Sequence, residues 1–122
     1  MLTADAAGVF PIAPTPFLPD GALDWQSTDR MIDHYVGCGA TGVTILGIMG
    51  EAPKLEPDEA IAFAKRTIKR APKLPFIVGV SAPGFAAMRS LARAVMDEGA
   101  AGVMIAPPSS LRTCLLYTSD AA

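Results

Sequence analysis

Thr41-Gly42-Val43-Thr44-Ile45-Leu46-Gly47-Ile48-Met49-Gly50-Glu51 is an apolar run that passes straight into a glycine-framed turn ending in a carboxylate. Val43 to Leu46 is β-branched or apolar at nearly every position, the pattern of a parallel strand buried on both faces. Gly47 and Gly50 then free the backbone at the strand's carboxyl end, where a tight turn can leave main-chain N–H groups facing a small anion. The carboxyl ends of strands are where α/β proteins hold their ligands. The same residues also fit an ordinary strand-to-helix turn with glycine present for geometry alone, so the rest of the chain has to separate the two readings.

The segment entering this strand has an echo. Gly39-Ala40-Thr41-Gly42-Val43-Thr44-Ile45 returns as Gly99-Ala100-Ala101-Gly102-Val103-Met104-Ile105, and two strand-helix units of about thirty residues each fill the interval. In the first unit Pro57 suits the opening position of a helix, with Asp58 and Glu59 in its first turn and Lys65, Arg66, Lys69 and Arg70 towards its end. That order complements the helix dipole, so the basic cluster reads as a solvated helix end rather than a phosphate or nucleic-acid patch. Ile61, Ala64 and Ile68 form its buried stripe, and Ala71-Pro72 closes it. Phe76-Ile77-Val78-Gly79-Val80 is the next buried strand. A helix with Met88, Leu91, Ala92 and Val95 inward follows and stops at Gly99, and Val103 to Ala106 is a further strand.

Upstream, Val9 to Phe17 reads as a first strand made irregular by Pro11, Pro14 and Pro16, since proline cannot donate to a sheet ladder. Pro19-Asp20-Gly21 signals a turn. Asp24 is a fair N-cap for a helix carrying Trp25, Thr28, Met31, Ile32, Tyr35 and Val36 on one face, stopped by Gly37 and Gly39. His34 lies beside that stripe and, without a partner in sequence, reads as an ordinary helix residue.

Composition bounds the function. The 122 residues carry a formal charge of -2, are 51% apolar and only 7% aromatic, and include 11 Gly and 11 Pro. This is a globular composition, too apolar for disorder and too evenly charged for a nucleic-acid binder. Cys38 and Cys114 suggest neither a disulfide framework nor a metal quartet, which favours a reducing cytoplasm. No window approaches the roughly 20 apolar residues that would span a bilayer. The element order β-α-β-α-β-α-β implies a parallel α/β sheet with right-handed crossovers. Two architectures share it: an open doubly wound sheet, and the first half of an eight-stranded (β/α)8 TIM barrel, which needs about 250 residues when whole. A G-x-G-x-x-G loop after the first strand would favour the open sheet, and none is present.

Gly8-Val9-Phe10-Pro11-Ile12-Ala13-Pro14-Thr15-Pro16-Phe17, Asp20-Gly21, Gly39-Ala40-Thr41-Gly42 and above all Gly47-Ile48-Met49-Gly50-Glu51 resemble the dihydrodipicolinate synthase and N-acetylneuraminate lyase family, over roughly Gly8 to Pro108. The resemblance implies an incomplete (β/α)8 barrel over residues 1–113. It also implies class I lyase chemistry on pyruvate or another 2-oxo acid through a lysine Schiff base, with no cofactor or metal, in a homo-tetramer once the protein is whole. Gly47, Ile48, Met49 and Gly50 would then hold the pyruvate carboxylate. Family members commonly carry hydroxyl residues between the two glycines, one binding that carboxylate and one in a proton relay; Ile48 and Met49 can donate nothing from their side chains. Ser109 stands near the position of a relay tyrosine that follows the family's fourth strand.

The family's Schiff-base lysine and proton-moving tyrosine lie on its sixth and fifth strands, beyond this chain. Lys54, Lys65, Lys69 and Lys73 fall in a loop, a helix and a helix exit, so no residue here serves as the nucleophile and the stretch alone is expected to be inactive. Cys114 to Ala122 breaks the repeating pattern and reads as translated sequencing-adapter DNA rather than a native loop and short helix. Within the family the alternative to a synthase is a 2-keto-3-deoxy sugar-acid aldolase or dehydratase, which the loss of the hydroxyls is expected to favour. From another class, the alternative is a small doubly wound anion-binding domain without catalysis.

Overall fold

The computed structural model describes Thr3 and residues 5–107. Its regular elements are α1 (Trp25–Gly37), β1 (Val43–Ile45), a 3-10 turn (Ala52–Lys54), α2 (Pro57–Arg70), β2 (Phe76–Gly79), α3 (Phe85–Asp97) and β3 (Gly102–Met104). Ser109 and residues 114–122 lie outside the described residues.

The strands form one parallel sheet in the order β1-β2-β3, with Val43 beside Phe76 and Val78 beside Val103. The proline-bearing first segment extends this order on the far side of β1. Ile12 bridges Thr44 in parallel, Ala13 N donates to Thr44 O at 2.8 Å and Thr44 N to Pro11 O at 2.9 Å. The expected first strand is therefore in place but reduced to a bridge, because its prolines have no N–H to sustain a ladder. Phe17 then bridges Leu23 across the expected turn, where Gly21 takes φ 90.

Spatial order thus follows chain order, and α2 packs on both α1 and α3 along one face of the sheet. A doubly wound sheet reverses strand order at a switch point and puts helices on both faces. Sequential order with helices on one face is an arc of a barrel.

α1 begins as expected, with Asp24 Oδ1 accepting from Ser27 N at 2.9 Å, and Gly39 leaves it at φ 74. Thr28 and Ile32 are buried, Trp25, Met31 and Tyr35 partly so, while Val36 is exposed. In α2, Ala64 and Ile68 are buried as expected but Ile61 only half so. Phe63, fully buried, takes the central place between helix and sheet. Side chains of that size contribute about 1.5–3 kcal/mol each when buried. Val43, Ile45, Phe76 and Val78 complete this core from the helix-covered face of the sheet. The strands are shorter than read from sequence: Leu46, Val80, Ile105 and Ala106 fall outside the ladder, whereas Gly102 joins it.

The basic end of α2 is paired, not merely solvated. Arg66 makes two hydrogen bonds to Asp29 (3.0 and 2.8 Å), Arg70 two to Asp33 (2.8 and 2.6 Å), and Lys65 reaches Glu98 at 2.5 Å. Their acids come from α1 and the end of α3, out of reach of any local sequence pattern. Hydrogen bonds from Arg66, then its charge and that of Arg70, hold the Asp29 carboxyl below the ordinary range. Arg70 does the same for Asp33.

Candidate active site

β1 ends in a bend rather than fading into coil. Leu46, only 2% exposed, takes φ 55, and Glu51 at the far side of the turn takes φ 52. Left-handed conformations at non-glycine residues cost on the order of 1–3 kcal/mol and persist where surrounding structure fixes them. The two glycines between them do not have positive φ. Gly50 is required for space instead, whereas only the movable end of Met104 crowds Gly47. A Cβ at Gly50 would lie 2.8 Å from Leu46 N, and one at Gly47 would lie 3.2 Å from Met104 Cε and 3.8 Å from Ile12 Cγ2. The backbone freedom expected of both glycines is not expressed as a positive φ, and at Gly50 it is space that excludes a side chain.

Two neighbours fix the turn. Gly79, at the end of β2, lets the Leu46 carbonyl approach so closely that a Cβ there would stand 2.0 Å from its oxygen. From the first segment, the buried Thr15 donates its hydroxyl to Gly50 O at 2.6 Å. Sequence reading missed Thr15, since nothing local marks a contact across 35 positions. Within the turn Glu51 N donates to Ile48 O at 3.1 Å. Among the described residues, the N–H groups of Gly47, Ile48, Met49 and Gly50 donate to no backbone carbonyl. Glu51 and Lys54 form a salt bridge with each other.

Ile48 and Met49 point away from the core: every residue from Val43 to Gly50 is buried except these two, which are 93% and 59% exposed. Register puts Ile12, Thr44 and Ile77 in one row across the sheet, with Met104 two residues beyond Gly102 on the same side. This is the face opposite the helices, and the turn caps its carboxyl-terminal rim. The structure therefore brings Gly47, Ile48, Met49 and Gly50 together at one rim, whereas Ser109 lies beyond the described residues.

The other candidates are elsewhere. A 640 Å³ cavity behind the turn, lined by Leu46, Ala52, Leu55, Ile61, Ser81 and Leu91 among others, is largely apolar. A 480 Å³ groove on α1 and α2, lined by Trp25, Asp29, Lys65, Arg66, Lys69 and Arg70, carries the helix ion pairs, with Arg66 stacked 5.5 Å above the Trp25 ring. His34 is exposed with Nε2 3.6 Å from Cys38 Sγ, away from the turn on α1. Lys54 follows the turn, Lys65 and Lys69 lie on α2, and Lys73 just after it, so no described lysine is on a strand. Among the described residues no three His, Cys, Asp or Glu side chains gather into a metal site, and no helix is long and apolar enough to cross a membrane.

Parallel strands in chain order, helices on one side and a glycine-framed turn at the strands' carboxyl rim define an incomplete (β/α)8 barrel of the kind used by enzymes. The profile of the Dihydrodipicolinate synthetase family matches residues 5–113, and the chain belongs to that family. It is 34% identical over 95 residues to the 4-hydroxy-tetrahydrodipicolinate synthase of Nitrosococcus oceani, an alignment covering 77% of this chain and 32% of that protein. The crystal structure of dihydrodipicolinate synthase from Rhodopseudomonas palustris superposes with a TM-score of 0.86 at 65% identity, covering 90% of this chain and 36% of that one. The chloride-inhibited synthase from Acinetobacter baumannii, solved in complex with pyruvate, gives 0.80 at 29% identity, covering 83% and 35%. The chain thus spans about a third of the length of these relatives.

Proposed function

We propose that the full-length protein is a pyruvate-dependent lyase or synthase that holds its substrate on a lysine supplied by the remainder of the barrel. The carrying observation is the rim turn from Gly47 to Gly50. Among the described residues its main-chain N–H groups from Gly47 to Gly50 meet no acceptor, and its shape is fixed by Gly79, Thr15 and the left-handed Leu46 and Glu51. Main-chain N–H groups left free in a turn suit a small carboxylate, and a related structure holds pyruvate.

Holding the carboxylate by main chain alone leaves the turn indifferent to its own side chains, so Ile48 and Met49 permit binding and imine formation. The lysine amine adds to the keto carbon, water departs, and the imine results; none of these steps needs a hydroxyl between the glycines. Proton relay is different. General acid and base groups contribute about a hundredfold or more, and neither Ile48 nor Met49 can be one. Condensation of pyruvate with aspartate semialdehyde should therefore be weak.

Borohydride reduction of full-length protein with pyruvate should give a covalent adduct by mass spectrometry, while the stretch from Met1 to Ala122 should give none. Synthase turnover equal to that of a hydroxyl-bearing relative would refute the argument from Ile48 and Met49. Absence of the adduct would refute the Schiff-base reading itself. As proposed, the complete enzyme works in the cytoplasm as a homo-tetramer, without cofactor.

A further inference from the structure

Resting on the pyruvate reading above, we propose that Thr15 is a positioning residue for the substrate carboxylate: its hydroxyl holds the Gly50–Glu51 peptide in the orientation that keeps a carbonyl oxygen out of the turn. Thr15 is 5% exposed and donates to Gly50 O at 2.6 Å. The other end of the same peptide is also held, since Glu51 N donates to Ile48 O at 3.1 Å. The first segment and β1 are neighbours across the sheet, so this clamp is complete within the described residues.

The peptide needs a clamp because both residues beside it favour letting it turn over. Reversing a peptide plane changes ψ of the residue before it and φ of the residue after it by about half a turn each, as between type I and type II turns. Gly50, kept free of a side chain by Leu46 N 2.8 Å from where its Cβ would stand, offers little resistance in ψ. Glu51 would gain, because its φ of 52 would pass from the left-handed region, costly for a non-glycine residue, to the extended one. The reversal would carry Gly50 O away from the buried Thr15 hydroxyl to the side now taken by the Glu51 N–H, facing Ile48 O. There its partial negative charge would stand inside the turn and oppose a carboxylate.

The sequence prepares Thr15 for this task. Pro14 and Pro16 bracket it. Proline fixes its own φ and confines the residue before it to extended conformations, so the threonine backbone is set before the hydroxyl bonds. Ala13 N donates to Thr44 O at 2.8 Å on one side of the bracket, and Asp24 N to Pro16 O at 2.9 Å on the other. The prolines that reduce the first strand to a bridge thereby hold one hydroxyl rigidly against the turn.

The test uses the full-length enzyme with Thr15→Val, which keeps the shape and removes the donor, and Thr15→Ser, which keeps the donor. Borohydride trapping is followed against concentration for pyruvate and for methyl pyruvate, which has the same ketone and no carboxylate. In Thr15→Val we expect half-maximal trapping of pyruvate to need roughly tenfold more substrate, the scale set by a buried carbonyl left without its donor. The maximal extent and the methyl pyruvate curve should be unchanged, and Thr15→Ser should trap pyruvate as the native enzyme does. If valine prevents folding, Thr15→Cys, a weaker donor, should move the pyruvate curve in the same direction. No adduct in the native enzyme overturns the pyruvate reading and this inference with it. An adduct whose pyruvate curve is unmoved by loss of the donor, moved equally for methyl pyruvate, or moved as far by serine, overturns this inference alone.

Discussion

Gly50 and Gly79 sit where no side chain has room, whereas Gly37, the last residue of α1, has nothing within 4 Å of where its Cβ would stand. The three positions should respond differently to alanine. Gly79→Ala forces a methyl onto the Leu46 carbonyl and Gly50→Ala onto the Leu46 main chain, and overpacking of this kind costs about 1–3 kcal/mol or more. Gly37→Ala should stabilise, since glycine within a helix is worse than alanine by roughly 0.5–1 kcal/mol. Thermal midpoints of the three variants in the full-length barrel check the ranking; equal midpoints would show that the turn adjusts freely. At this scale the sequence was only half legible. It located the glycines, but the left-handed residues are Leu46 and Glu51, whose types give no sign of it. The Thr15 anchor depends on the chain returning to Gly50 in space.

Helices α1 and α2 are joined by matched rungs, Asp29 with Arg66 and Asp33 with Arg70, four residues apart on each helix. Both carboxyls are held below their ordinary values, chiefly by the arginine hydrogen bonds, and Asp24 likewise by its bonds to Ser27. Because the folded values are the lower ones, what these groups contribute is fully present above the unfolded value, about 3.9. It is lost as pH falls through the depressed folded values. The thermal midpoint should therefore be insensitive to these groups from pH 5 to 8 and fall below pH 4. Asp29→Asn with Asp33→Asn should make that acid decline shallower; an acid limb parallel to the native one would mean the rungs are without consequence. Element types and order were legible because apolar spacing and capping residues are local, as Asp24, Pro57 and Gly99 show. The rungs were not, since each basic residue's partner lies on another helix.

On the scale of the whole chain, alternation of strand and helix could not decide between an open sheet and a barrel arc. That choice lies in strand order and in which face the helices cover, and in the sequence only the missing G-x-G-x-x-G loop and the family resemblance bear on it. Among the described residues β3 has an unpaired outer edge, and Val103, Met104 and Ile105 are 37%, 40% and 55% exposed. Unpaired edges and wet apolar faces drive self-association. The isolated stretch should therefore run as a dimer or larger species in sizing experiments, and a monodisperse monomer with a cooperative unfolding transition would contradict this.

The clamped turn also bears on descent. Exposed positions away from special contacts usually change stability by no more than about 0.5 kcal/mol when replaced, and Ile48 and Met49 are the exposed pair in a segment otherwise fixed by packing. A lineage can exchange these two side chains, generation by generation, while Leu46, Gly50, Gly79 and Thr15 keep the rim in shape. The architecture is inherited through one set of residues and the face that the rim presents through another, so this barrel can change what its rim offers without relearning how to fold.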